Sequence, residues 1–237
     1  MVTLPLAIAA CSLSDEPSGG SGAEGDGTVV LVGDSLAEQA APYLALLLGS
    51  TELVPQYFGG SAPCDWLKDD VEIAEGNLVV ISFAGNSLTP CMSDGAGGFL
   101  QGEAVVERYR DDVTALVDRA HAAGASVLLV GQPVHAASFG DAAVVDGIND
   151  VYSDLGDGDD AAFVDAGAAV ENPDGTYAQA LPCLPDEPEC DPSGSNVVRN
   201  DDGLHFCPGS PPPGPCAVYA SGAYRFAAGI ADAVSQG

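Results

Sequence analysis

The chain has 237 residues, 46% of them hydrophobic, enough for one sizeable α/β domain with a buried core and too apolar for wholesale disorder. Acidic residues number 35 against 6 basic ones, a net charge of −29. Such a surface repels phosphate backbones and does not attract anionic lipid, which excludes nucleic acid as a partner; the excess acid reads as a solubility or salt adaptation.

The chain opens on MVTLPLAIAAC, an apolar stretch too short to span a bilayer. It ends in small residues, Ala9-Ala10, before Cys11, and reads as the end of an export signal, although no Lys or Arg precedes it. Ile8-Ala9-Ala10-Cys11 resembles the lipobox of bacterial lipoproteins. That resemblance makes residues 1–11 an export signal, Cys11 a lipidation candidate, and the lipid the chain's one link to a membrane. Residues 12–27, SLSDEPSGGSGAEGDG, are Gly, Ser and acid, and read as a flexible tether to a domain over 28–237.

The domain begins with a strand-like run, Thr28–Val32, that meets Gly33-Asp34-Ser35 and then a helix-like run, Leu36–Leu48. Ser and Asp are good N-cap residues, so Ser35 is either a cap or a nucleophile at a strand end. A second strand, Leu53–Tyr57, leads to Gly59-Gly60. A third, Leu78–Phe83, leads to Ala84-Gly85-Asn86-Ser87. Glycine admits positive φ and close backbone approach, and an Asn amide can donate to an oxyanion; each loop alone is also a plain turn. Gly102–Ala123 carries Val105, Val106, Tyr109, Val113, Leu116, Val117 and Ala120, a spacing of three and four that predicts an amphipathic helix. The strand Val127–Val130, the helix Ala143–Leu155, the strand Ala162–Val164 and the terminal helix Tyr219–Val234 follow. Short apolar strands alternating with helices predict a parallel sheet covered on both faces, with ligands outside the carboxyl ends of its strands. Ala180–Pro215, rich in Pro, Gly, Asp and Cys, reads as a long irregular segment of the functional kind.

Three histidines are candidate bases. His121, in DRAHAAG, sits where a helix C-terminus favours it structurally. His135, in GQPVHAAS, lies past a strand end and is a substrate-side residue or a second-choice base. His205 follows Asp202 by three residues, so a carboxylate can fix its tautomer. The acidic run 153–160, SDLGDGDD, lacks the alternating ligands and distal Glu of a calcium loop and reads as a solvated turn. Beyond Cys11 there are six cysteines, Cys64, Cys91, Cys183, Cys190, Cys207 and Cys216, with no Cys-x-x-Cys pair for zinc. They read as disulfides. Fifteen connectivities are open; proximity suggests Cys183–Cys190 and Cys207–Cys216, leaving Cys64–Cys91.

Gly-Asp-Ser after the first strand, Gly after the second, Gly-Asn after the third and Asp-x-x-His near the end appear in one order. This order resembles the SGNH (GDSL) hydrolase family. The last block, Asp202-Gly203-Leu204-His205, fits unchanged. The third block, usually Gly-x-Asn-Asp, reads Gly85-Asn86-Ser87 here, and in the first Ala37 stands where a second glycine is common. The resemblance implies a three-layer α/β/α sandwich with a mainly parallel five-stranded sheet of flavodoxin-like type. It implies Ser35 as nucleophile, His205 as base, Asp202 orienting it, and an oxyanion hole from the N–H groups of Ser35 and Gly60 and the amide of Asn86. Gly59 competes with Gly60; counting from the strand favours Gly60. No metal or organic cofactor is implied. With those roles, Cys64–Cys91 would tie the two donor loops together and Cys207–Cys216 would brace the base. The expected protein is a monomeric, extracytoplasmic esterase, secreted or membrane-tethered, acting on a small ester or an O-acetyl group of a carbohydrate. An O-acyltransferase acting on envelope glycans and a non-catalytic surface binding module are the alternatives.

Overall fold

A computed structural model describes residues 27–68, 71–158, 161–209 and 214–236. The expected export signal, Cys11 and nearly all of the expected tether lie outside the described residues.

Five strands form one parallel sheet: β1 (Val29–Gly33), β2 (Leu53–Tyr57), β3 (Leu78–Ser82), β4 (Ser126–Val130) and β5 (Ala162–Val164). Their spatial order is β2-β1-β3-β4-β5. Side chains alternate across a strand, and the core divides accordingly. Val29, Leu31, Val80, Leu128 and Val130 face α1 (Ser35–Leu47) and α5 (Ser221–Gln236), meeting Leu36, Leu44, Phe226 and Ile230. Val30, Val32, Val79, Ile81 and Leu129 face α3 (Glu103–Ala122) and α4 (Ala142–Gly156), meeting Tyr109, Val113, Leu116, Ile148 and Tyr152. The result is the expected three-layer sandwich. Because the strand order reverses between β1 and β3, their carboxyl ends part to leave a crevice, the usual ligand position in such sheets.

The structure adds two things to the sequence reading. A six-residue helix, α2 (Pro63–Lys68), follows Gly60 and is too short to show a period. The segment read as irregular contains an antiparallel pair, β6 (Ala180–Pro182) with β7 (Ser195–Val197). Three disulfides, Cys64–Cys91, Cys183–Cys190 and Cys207–Cys216, take the pairing that proximity suggests.

Candidate active site

At the end of β1 the capping role falls to Asp34 rather than to Ser35. Asp34 caps α1, its Oδ1 accepting from the Leu36 N–H at 3.0 Å. Ser35 is therefore the first residue of the helix proper, and its hydroxyl is free for another partner. That partner is His205, whose Nε2 lies 2.9 Å from Ser35 Oγ, across 170 residues of sequence. On the other side of the ring, Nδ1 lies 2.8 Å from Asp202 Oδ2. Donation from Nδ1–H to the carboxylate leaves Nε2 with a lone pair for the serine proton.

The loop carrying this pair is short and closed on itself. Asp202 Oδ1 accepts from the N–H groups of Leu204 and His205 at 2.9 and 3.0 Å. Burial raises the Asp202 pKa, but these bonds and the imidazole outweigh it and hold the carboxyl below its usual range. Asn200 takes its N–H to the His205 carbonyl and its amide to the Cys207 carbonyl. Gly203 has φ +80°, and a Cβ there would lie 2.5 Å from Ala136 Cβ, so the loop's tip demands glycine. Gln39 of α1 accepts from the N–H groups of Phe206 and Cys207, so the helix bearing Ser35 also grips the histidine loop. Beneath lies Arg199, wholly buried, donating to the carbonyls of Leu204 and Val134 and lying 4.9 Å from the Phe206 ring centre. Burial pushes its pKa down to about 10.

The donor side is assembled around Asp34. Its Oδ2 accepts from the Ala84 N–H at 2.7 Å and from Asn86 Nδ2 at 2.9 Å. One N–H of the Asn86 amide is thereby fixed and the other is left to project. Tyr109 holds the same residue by donating to the Asn86 carbonyl at 3.0 Å. Asp34 is fully buried, and desolvation lifts its pKa to about 6 against the lowering effect of the Ala84 and Leu36 N–H groups and of His205. The Ser35 N–H belongs to the first turn of α1, where no helical carbonyl precedes it. Gly60 takes φ +82° whereas Gly59 does not, so Gly60 is the position that needs glycine. The next residue docks on β1, the Ser61 hydroxyl lying 3.0 Å from the Gly33 carbonyl oxygen. Cys64–Cys91 then links α2 to the turn at Pro90–Met92 that follows Asn86.

A cavity of about 420 Å³ opens at this point, with Ser35 and Asn86 in its wall. His135 also forms part of that wall, buried, its Nδ1 3.2 Å from the Ala136 carbonyl oxygen and its ring against Phe139; it is no part of the serine relay. His121 lies in the last turn of α3, at the amino ends of the strands, whereas Ser35 lies at the carboxyl end of β1. In the acidic run, Asp154 pairs with Arg110 at 3.2 Å, and residues 159 and 160 lie outside the described residues. One further cluster of potential ligand atoms, Cys64, Asp65 and Cys91, exists among the described residues. Both sulfurs are consumed in the disulfide, and the Asp65 oxygens accept from Thr89 Oγ1 and the Ala62 N–H, so it does not suit a metal.

Sequence reading missed the second role of Asp34, and it missed Gln39 and Arg199. The Gly-Asp-Ser motif could have pointed to Asp34, since a carboxylate placed at the end of an apolar strand needs partners when buried. Nothing local signals Gln39 or Arg199, whose partners lie in distant loops.

A family model described as "Protein of unknown function (DUF459)" matches residues 60–210. No curated protein matches the sequence. Solved structures share the fold. A GDSL-like lipase from Bacteroides thetaiotaomicron is 16% identical, with 89% of each chain covered and a TM-score of 0.57. The acetyl xylan esterase AlAXEase is 17% identical, covering 87% of this chain and 99% of that one, with a TM-score of 0.56. The fold is thus that of the SGNH hydrolases, as the order of motifs implied.

Proposed function

We propose that this chain, which belongs to the DUF459 family and so to one whose description assigns no activity, is a serine-dependent carboxylic ester hydrolase acting on small, uncharged acyl esters. One observation carries the reading: an unbroken line from Asp202 through His205 to Ser35, with contacts of 2.8 and 2.9 Å, reaching a cavity at the carboxyl ends of β1 and β3. In the first step the Ser35 Oγ–H proton passes to His205 Nε2 while Oγ bonds to the ester carbonyl carbon. The oxygen that becomes negative is received by the N–H groups of Ser35 and Gly60 and the free N–H of Asn86. The bond to the alcohol then breaks, and His205 returns the proton to that oxygen. Water repeats the sequence on the acyl-serine, releasing the acid and restoring Ser35. Asp202 stabilises the imidazolium formed in each half.

The three disulfides support an oxidising, extracytoplasmic setting. Anchoring through a lipid on Cys11 belongs to the same proposal and is tested by the mass of the N-terminal peptide. Acetylated carbohydrate lies within the proposed substrate class, a reading supported by the acetyl xylan esterase among the proteins of like fold.

The test is turnover of p-nitrophenyl acetate by the purified, oxidised protein beside Ser35→Ala and His205→Ala. Each variant is expected to lose about a thousandfold or more in kcat, the range of a lost base or nucleophile. Equal background rates in all three proteins would sink the esterase reading and favour the binding module. Acyl transfer to added sugar in preference to water would shift the reading to an acyltransferase.

A further inference from the structure

The wall of the cavity beside Ser35 holds a histidine that the proposed reaction does not use. His135 lies past the end of β4, buried, its ring centre 5.3 Å from that of Phe139. A carbonyl oxygen only accepts, so the 3.2 Å contact of Nδ1 with the Ala136 carbonyl puts the ring proton on Nδ1. In the neutral imidazole Nε2 is then an acceptor. That atom has no partner among the described residues, and it is not one of the polar atoms sealed from solvent. Its edge of the ring lies beside Gly140, where a Cβ would stand 3.5 Å from Cε1 and 3.7 Å from Nε2. Gly140 has no side chain to cover that edge and is itself in the cavity wall. The ring thus presents one oriented acceptor to whatever fills the cavity.

The neighbours of His135 indicate which part of an ester meets it. The Ala136 N–H donates to the Gly203 carbonyl at 2.8 Å, and Gly203 sits against the Ala136 side chain. Arg199 adds a tie through the Val134 carbonyl. The segment carrying His135 is therefore clamped to the loop carrying Asp202 and His205, and Leu204 of that loop is also in the cavity wall. A leaving alcohol takes its proton from His205 Nε2, so it lies on this side.

The remaining wall suits a compact group with several hydroxyls. About 420 Å³ is within the range of a small-molecule pocket, in which a few placed polar groups set specificity. The Ser87 hydroxyl and the Gln101 amide line the space and make no side-chain hydrogen bond to another described residue. Phe139, 49% exposed, offers an apolar face beside the imidazole for the C–H face of a sugar ring. No described Lys or Arg lines the cavity, whereas Asp34 and Asp141 do, so neutral hydroxyls fit where an anion would be repelled. An alkyl alcohol would leave the polar groups of His135, Ser87 and Gln101 without a partner.

We propose that His135 is a specificity-determining residue whose Nε2 accepts a hydrogen bond from a hydroxyl on the alcohol part of the ester, so that acyl esters of sugars and other polyols are preferred to esters of simple alkanols. The proposal rests on the esterase reading and narrows its substrate class.

The test compares kcat/KM for monoacetylated methyl β-xyloside with that for cyclohexyl acetate, a ring of the same size without hydroxyls, in the wild type, His135→Phe and His135→Gln. Wild type is expected to favour the xyloside at least tenfold. His135→Phe keeps a ring against Phe139 but has no acceptor, and should lower the ratio about three- to tenfold, the effect of one lost neutral hydrogen bond. His135→Gln, whose Oε1 falls near the place of Nε2, should keep the ratio within about twofold of wild type. A ratio is insensitive to the fraction of a variant that has folded. A wild type that favours cyclohexyl acetate, or a ratio unchanged in His135→Phe, overturns the proposal and leaves the esterase standing. An equal fall in both variants overturns the acceptor role, since ring packing alone would then explain it. Ethyl glycolate and ethyl acetate serve as the pair with the hydroxyl on the acyl part; a fall confined to that pair overturns the assignment to the alcohol. Absence of turnover with every ester, p-nitrophenyl acetate included, defeats the esterase reading itself.

Discussion

Asp34→Asn replaces one carboxylate oxygen by an NH₂ at a site where three donors converge: the N–H of Leu36, the N–H of Ala84 and Nδ2 of Asn86. If the new amide keeps its oxygen on Leu36, its NH₂ confronts Ala84 and Asn86 donor to donor. Asn86 then turns over to present Oδ1, and its remaining N–H no longer projects as an oxyanion donor. Loss of one such donor costs about 10²–10³ in kcat, or ~2.7–4 kcal/mol. If the amide turns the other way, α1 loses its cap at about 0.5–2 kcal/mol of stability. The expected result at pH 8 is a fall of tens- to several-hundredfold in kcat, with KM within a few fold. The cycle with Asn86→Ala separates positioning from general damage. In the Asn86→Ala background, Asp34→Asn should add less than about threefold, because its target is gone. Losses that simply multiply would refute the argument that Asp34 acts through Asn86. The pH dependence gives a second check. With the Asp34 pKa raised to about 6, wild-type activity should decline as pH falls through that value, since a protonated carboxyl holds fewer donors. Stability runs in the opposite sense. A raised carboxyl pKa gives a contribution present below the ordinary value of 3.8 and lost as pH rises through about 6. Relative to wild type, Asp34→Asn should therefore be less destabilised at pH 8 than at pH 4, measured by urea unfolding.

Two further perturbations bear on the scaffold. Cys64→Ala with Cys91→Ala opens a cross-link of sequence separation 27. Chain entropy sets its cost at about 3.5 kcal/mol, and kcat should fall more than KM changes, because the link joins the segments after Gly60 and after Asn86. An unchanged kcat in the folded double variant would show that the link stabilises without aligning. Arg225→Met leaves Glu187, whose side chain is fully buried, without its cation at 2.9 Å. Burial raises the Glu187 pKa, but Arg225, Ser221 and the Leu184 N–H overcome it and bring the carboxyl to about 2. That depressed value means stability present above 4.5 and lost as pH falls toward 2. The variant should lose about 3–5 kcal/mol at pH 7 and much less near pH 3, read from denaturant midpoints, and a loss below about 1 kcal/mol would contradict the buried-pair reading.

The sheet was legible because its strands are apolar runs closed by Gly, and the main helices because their faces repeat every three or four residues. Strands β1 to β5 and the four long helices fall within about two residues of the runs read from sequence, the scatter expected of any boundary. The short elements were not legible. Pro63–Lys68 has too few residues for a period, and β6 and β7 are three residues each inside a Pro- and Gly-rich segment. Ser35, Asp202 and His205, which the structure joins by hydrogen bonds, could be named from the sequence with Gly60 and Asn86 because their identities and order carry a motif. Gln39 and Arg199 were not, because a buried amide or guanidinium that serves carbonyls and N–H groups of a remote loop leaves no trace in its own neighbourhood. The pairing of cysteines was legible only as far as short loops favour near neighbours.

Ser35 and His205 stand 170 residues apart, and the segment that brings the base also leads into α5, which packs against α1. A chain made from its N-terminus at about 5–20 residues per second would therefore carry its serine for roughly ten to thirty seconds before any base existed to activate it. Throughout that interval the strand-to-helix turn at Asp34 can form, but the hydroxyl is no more reactive than any other. On the proposed reading, hydrolysis begins only when the last quarter of the sequence docks. Turnover of a chromogenic ester would then time the closing event of folding, and a fragment ending before residue 205 would be inert however well its sheet had formed.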